Sequence, residues 1–237
     1  MRRIISFMHV SLDGFVAGPN GEMDWIAVND EIFSYVGKRI ATGDTALYGR
    51  ITYNMMEGYW PTAADKPNAT QHDIEHAAWY SKVHKVVLSA SMRGAAPANT
   101  TIISDNIAAR IQEIRQQDGP DILLFGSPTA THSLMQHGLI DGYWLFVNPI
   151  VLGEGIPLFA NIKERTKLKL LHTQQFACGV TELDYIVERQ AVVVSCRCLH
   201  QQSQIPIICF KYESTTGYNY FCSLSFSFTD HRNRVCC

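Results

Sequence analysis

Two short apolar runs each end in a glycine that opens a helix-like stretch, and this doubled junction constrains the fold most. Thr45-Ala46-Leu47-Tyr48 leads into Gly49-Arg50-Ile51-Thr52. Ile122-Leu123-Leu124-Phe125 leads into Gly126-Ser127-Pro128-Thr129 and a helix through about Gln136. A strand that ends in glycine and feeds a helix is an anion site. The backbone can approach closely, free N–H groups point outward and the helix dipole favours negative charge. Arg50 adds a planar guanidinium suited to phosphate. Thr52 can cap its helix and bond a phosphate oxygen. Pro128 suits a first helical turn, where its missing N–H costs nothing. Two such junctions in one α/β domain can grip both ends of a dinucleotide's phosphates. Taken alone, each also reads as a plain strand, turn and capped helix.

The rest of the chain supplies a sheet around them. Residues 2–10 form an apolar strand, and 11–24 a Gly/Pro/Asn/Asp-rich loop of functional length. Trp25 to about Arg39 reads as a helix, Ile51–Met56 as another, and Gln71–Ser81 as a short polar one, after a Pro-containing connection from Tyr59 to Asn68. Thr45–Tyr48, Lys85–Leu88, Thr101–Ile103 and Ile122–Phe125 read as strands. Asp105 is placed to cap a helix through about Gln117, with Ile107, Ile111 and Ile114 at helical spacing. Tyr143–Val151, Leu168–Phe176 and Thr181–Glu188 are three further strands, with Cys178-Gly179 at a hairpin turn. Strands alternating with helices, then a closing hairpin, predict a mostly parallel sheet with an antiparallel edge.

Five stretches carry a family resemblance: residues 7–17 (Phe7-Met8-His9-Val10-Ser11-Leu12-Asp13-Gly14-Phe15-Val16-Ala17), 49–53, 85–89, Leu124-Phe125-Gly126-Ser127, and 145–155 from Leu145 to Gly155. Their order and spacing over about residues 2–188 resemble the dihydrofolate-reductase-like superfamily. The similarity is to the riboflavin-biosynthesis reductase branch, the C-terminal half of bifunctional deaminase–reductases. The resemblance implies a three-layer α/β fold with NADPH as cofactor. It also implies hydride transfer to a C=N or C=O carbon of a pterin-like or ribosylaminopyrimidine-like small molecule. It places Gly49, Arg50 and Thr52 on the cofactor phosphates, with Arg50 near the 2′-phosphate. It places Leu88 and Ser89 on the adenosine side, Gly126, Ser127 and Thr129 at a second phosphate turn, and Val16 and Ala17 around the nicotinamide. A homodimer through the hairpin at about 168–188 is implied too. One departure stands out: the family often has two glycines at the second phosphate turn, whereas Ser127-Pro128 follow Gly126 here.

Three acids are candidates for the substrate side. Asp13, before Gly14, suits an Asx turn or, by resemblance, a substrate hydrogen-bond acceptor. Asp30 lies five residues after Trp25, a spacing similar to that of the ring-binding, proton-assisting acid of dihydrofolate reductases. It also suits a helix start beside Glu31. Glu154, on a loop after a strand, could bond a substrate amine or ribityl hydroxyl, or face solvent. His72-Asp73-Ile74-Glu75-His76 fits the H-x-x-E-H zinc pattern, which needs a third ligand, or belongs to a solvated surface helix. The expectation is a reductase without metal. A non-catalytic nucleotide-binding protein of the same fold is the first alternative, and a zinc hydrolase using His72, Glu75 and His76 the second.

The 237 residues suffice for one α/β domain plus an appendage. A net charge of −2 gives no electrostatic case for nucleic acid, and no apolar run approaches bilayer length. Met1-Arg2-Arg3-Ile4-Ile5 passes straight into a strand pattern, so a cytoplasmic protein without signal peptide is expected. Cys178 stands apart, while Cys196, Cys198, Cys209, Cys222, Cys236 and Cys237 crowd the end without Cys-x-x-Cys pairing. Residues 1–189 therefore read as the reductase domain. Residues 190–237 read as a Cys-rich extension outside the catalytic fold, or as an edge strand or dimer-contact segment.

Overall fold

The structure, a computed structural model, describes residues 1–92 and 96–189, together with the backbone of 208–214 and 217–223. The chain forms two compact units, Met1–Glu188 and Arg189–Cys237. In the first, the strands are Ile4–Ser11 (β1), Phe15–Ala17 (β2), Thr45–Gly49 (β3), His84–Leu88 (β4), Thr100–Ile103 (β5), Ile122–Phe125 (β6), Gly142–Asn148 (β7), Ile156–Pro157 (β8), Leu168–Gln175 (β9) and Thr181–Val187 (β10). The helices are Asp30–Ile40 (α1), Arg50–Glu57 (α2), Gln71–Lys82 (α3), Ile107–Arg115 (α4) and Pro128–Gln136 (α5), with a short 3-10 helix at Trp60–Asp65. In the second unit Ile208–Ser214 (β11) and Gly217–Ser223 (β12) pair antiparallel. Cys196, Cys198, Cys236 and Cys237 lie outside the described residues.

One eight-stranded sheet, in the order β5-β4-β3-β6-β1-β7-β10-β9, organises the first unit. β5 through β7 are parallel, and β10 and β9 add an antiparallel edge. The interior strands are apolar on both faces because helices cover both, as a parallel sheet requires. On one face Met8, Leu47, Leu124 and Leu145 pack under Ile111 of α4 and Leu134 of α5. On the other, Ile5, Tyr48, Phe125 and Phe146 pack under Ile32 and Val36 of α1, Tyr53 of α2 and Tyr80 of α3. This is the three-layer, dihydrofolate-reductase-like architecture expected from the sequence.

Several local expectations are corrected. α1 starts at Asp30, not Trp25, because the Asn29 side chain accepts from the Ile32 amide at 2.9 Å and fixes the first turn there. α2 starts at Arg50 with Gly49 as its N-cap, so Thr52 lies inside the first turn and does not cap it. α4 is preceded by Asn106 in a left-handed conformation rather than capped by Asp105. The loop at 11–24 contains β2, whose partner β8 is some 140 residues away. α3 is not a solvated surface helix: Tyr80 is buried and His72 and His76 are only partly exposed.

Candidate nucleotide and substrate site

Ser89, Gly49, Gly126, Ser11 and Asn148 follow or end β4, β3, β6, β1 and β7, so they line one edge of the sheet, about 4.8 Å from strand to strand. β3 and β6 are neighbours, yet α2 leaves β3 over one face and α5 leaves β6 over the other. This divergence is the topological switch point at which an open α/β sheet forms a ligand crevice. Both glycine junctions read from the sequence open into it.

The two turns are locked together. The Gly49 N–H donates to Ser127 Oγ at 2.8 Å, and that hydroxyl donates to the Phe125 carbonyl at 2.8 Å. A Cβ at Gly126 would stand 3.5 Å from Thr52, and one at Gly49 3.4 Å from Ser127. Gly126 (φ 52°) and Ser127 (φ 63°) both take left-handed backbone, which turns the chain sharply into Pro128. The serine hydroxyl is thus committed to joining the turns. Among the described residues neither α2 nor α5 has a side-chain cap, so their first-turn N–H groups face outward unpaired by side chains. Arg50 is exposed and has no hydrogen-bond or ion-pair partner among the described residues. Thr129 is exposed in the first turn of α5, and Thr52 is partly exposed across from it. Leu88 sits in the core; the buried Ser89 hydroxyl accepts from the Ser91 and Met92 amides at 3.3 and 3.0 Å.

Asp13 belongs to a second cluster, beyond β1. Its carboxylate accepts from the Ser11 hydroxyl at 2.6 Å and from the Leu152 and Gly153 amides at 3.2 and 2.8 Å. The Ser11 hydroxyl and then these amides hold its pKa below the ordinary carboxylate range, so it is an anion at neutral pH. It ties the β1–β2 turn to the loop after β7, which carries the exposed Glu154. Gly155 is required there: its φ is 154°, and a side chain would collide with the Ala17 carbonyl oxygen. Val16 and Ala17 are both buried on β2 beside this loop. Asp30 is exposed at the start of α1.

Sequence reasoning missed Asn148 and an arc of aromatic rings. Asn148, fully buried, donates from Nδ2 to the carbonyls of Phe146 (3.0 Å) and Val10 (3.3 Å) and accepts the Ala27 amide at 2.9 Å. It thereby fixes the approach to α1 against the ends of β1 and β7. Its Nδ2 lies 3.5 Å from His9 Nδ1. His9 stacks on Phe146 with centroids 5.1 Å apart. Packed among protein but still open to solvent, its imidazole is pushed down to about 4 by burial. From His9 a run of ring contacts continues through Phe7, Phe125 (5.5 Å) and Trp79 (5.7 Å) to His76 (5.0 Å). Trp60 covers His76 at 3.9 Å, and Phe33 stacks on His72 at 4.2 Å. Phe33 is one turn after Asp30, so the acid stands on the same face of α1 as this end of the arc. The helical spacing of His72 and His76 was the available signal; their partners are distant in sequence.

The H-x-x-E-H residues of α3 are engaged within the protein. His72 and His76 pack on rings, Glu75 accepts from Gln71 at 2.7 Å, and no trio of metal-ligating side chains gathers among the described residues.

A three-layer, mostly parallel sheet with an antiparallel edge and a crevice at its switch point is a dihydrofolate-reductase-like architecture. The chain belongs to the RibD C-terminal domain family, which it matches over residues 2–181. It is 34% identical to the Bacillus subtilis (strain 168) protein YyaP over 187 residues, covering 78% of this chain and 94% of that one. YwjB of the same organism is 28% identical over 186 residues, covering 78% and 98%. Among solved structures, a Shewanella sp. PV-4 protein assigned to riboflavin biosynthesis superposes with a TM-score of 0.61 at 19% identity, over 79% of this chain and 99% of that one. The Thermotoga maritima deaminase/5-amino-6-(5-phosphoribosylamino)uracil reductase superposes with 0.55 at 12% identity, over 78% and 56%. At these identities both show the fold alone.

Proposed function

We propose that the chain is an NADPH-dependent reductase acting on a pterin-like or ribosylaminopyrimidine-like substrate. The observation that carries this reading is the pair of uncapped helix N-termini, locked by the Gly49–Ser127 bond at the switch point, with Arg50 exposed and unpaired among the described residues beside them. The residues present suit a dinucleotide: two glycine turns for close backbone approach, helix dipoles for phosphates, and a guanidinium for a 2′-phosphate. Family membership supports a reductase, and the reductase activity named for the Thermotoga neighbour points the same way.

Bound NADPH would supply the hydride. Gly49, Thr52, Gly126 and Thr129 would hold its phosphates, Arg50 its 2′-phosphate, and Leu88 and Ser89 would end the adenosine side. Val16 and Ala17, buried on β2, would wall the nicotinamide and exclude water. Asp30 would bond the substrate ring and assist protonation. Asp13 would hold the loop that presents Glu154, with its remaining lone pairs open to substrate.

A non-catalytic nucleotide-binding protein is the second reading. It is favoured by the internal commitment of the Asp13 carboxylate. Single-turnover hydride transfer, followed as loss of NADPH absorbance across a panel of pterins and ribosylaminopyrimidines, separates the two. Transfer to one member of the panel is expected. NADPH binding with no transfer to any of them would favour the second reading.

A further inference from the structure

Resting on the reductase reading, we infer that the aromatic arc formed by Phe7, His9, Phe33, Trp60, His72 and His76 receives an uncharged planar heteroaromatic ring that carries no phosphate. The geometry comes first. These rings stand on β1, α1, the 3-10 helix and α3, form part of a run of ring contacts, and are all partly open to solvent. Flat, polarisable faces of this kind stack on a planar ligand. Imidazoles add one donor and one acceptor each in the ligand plane.

The charge distribution then selects the ligand. Four of the helix ends described above differ in a consistent way. α2 and α5, at the nucleotide crevice, are uncapped; α1 and α3, at the arc, are sealed by their own side chains. Asn29 closes α1, and a reciprocal capping box of Thr70 and Asp73 closes α3. The first turns beside the arc carry Asp30, Glu31 and Asp73, with Glu75 one residue before His76. Two cations beside the arc are engaged. Arg39 is paired with Asp184 at 2.8 Å over the Trp144 ring, and Lys66 lies 3.5 Å above the Tyr59 ring, whose hydroxyl donates to Asp73. Burial holds the His72, His76 and His9 imidazoles below their ordinary value, so they are neutral at pH 7 and supply no counter-charge. A phosphate here would meet carboxylates and closed helix ends, which oppose an anion. Phosphate recognition is thereby confined to the cofactor crevice. The substrate differs in this respect from the phosphoribosyl compound named for the Thermotoga enzyme.

The test is direct binding of two matched pairs of probes to the full chain, with and without NADP+. One pair is 6-hydroxymethylpterin and its phosphate; the other is 5-amino-6-ribosylaminouracil and its 5′-phosphate. Calorimetry and tryptophan fluorescence would read the affinities. The unphosphorylated member of at least one pair is expected to bind about ten-fold tighter than its phosphate ester. Trp60→Ala should weaken that binding by about ten-fold, Trp60→Phe should retain it, and NADP+ affinity should be unchanged in both. Tighter binding of the phosphorylated members, or no binding by any probe up to about 1 mM, would overturn the inference. Because binding is read without turnover, the two readings fail separately. A probe that binds but accepts no hydride counts against the reductase. Hydride transfer only to a phosphorylated probe keeps the reductase and removes this inference.

Discussion

Asp13 was readable as a turn residue or a substrate acceptor, and its contacts assign both carboxylate oxygens to its own loop pair. Asp13→Asn keeps one acceptor but turns an NH2 group toward backbone N–H groups. The expected result is a lower melting temperature with NADPH affinity nearly unchanged. The sign with pH follows from the depressed pKa: the stabilisation is present above the ordinary carboxylate range and is lost as pH falls through the folded-state value. The melting difference between wild type and variant should therefore be full at neutral pH and vanish in acid. An unaltered melting temperature with lost turnover would make Asp13 a substrate contact rather than a loop tie. Arg50, exposed and unpaired among the described residues, gives the opposite pattern. Arg50→Ala should weaken NADPH by about ten- to a hundred-fold, the worth of a charge-assisted hydrogen bond, and leave NADH almost unaffected. Equal NADPH and NADH affinities in the wild type would remove the main support for the cofactor assignment.

Among the elements, α3 changed most between sequence and structure. Its polar composition suggested a solvated helix, but His76 lies under Trp60 and is pushed down to about 3, by burial first and by His72 second, with Asp73 opposing. A histidine held neutral in the fold binds its proton more readily when unfolded. Stability therefore rises with pH across the interval between the two values, and falls as pH drops below about 6.5. Thermal melts from pH 7 to 4 should show this loss, with a shallower slope in His76→Gln; an equal slope in the variant would place the acid sensitivity elsewhere. The glycine junctions were legible because their signals are local: an apolar run, a glycine, then helical spacing within ten residues. Asn148, β2 with β8, and the inner face of α3 were not, because each takes its character from partners far along the chain. The start of α1 was misjudged for a related reason. Trp25 and Ile26 carry apolar periodicity, but Asn29 offers the first amides a better acceptor.

At the scale of the molecule, every proposed site residue and all eight strands of the main sheet precede Arg189. A chain ending there should unfold cooperatively and still bind NADPH; loss of cooperativity would show that the remainder completes the core. The outer strand β9 is exposed over all but one of its residues and presents Leu168, Leu170 and Leu171. An open edge of that kind invites pairing, so a homodimer through β9 is expected, and sedimentation as monomer at micromolar concentration would count against it. The order of strands has another consequence. β1 lies in the middle of the sheet, between β6 and β7, and its Ile4 amide finds the Asp141 carboxylate 137 residues further on. At about 5–20 residues per second, a ribosome needs roughly 7–27 s to make that interval. For most of that time β1, which carries Ile4, Ile5, Phe7, Met8 and Val10, has neither neighbour, because β6 begins only at Ile122. The nascent chain should therefore be a chaperone client until β7 emerges, and stalled chains ending before Gly142 should be protease-sensitive throughout.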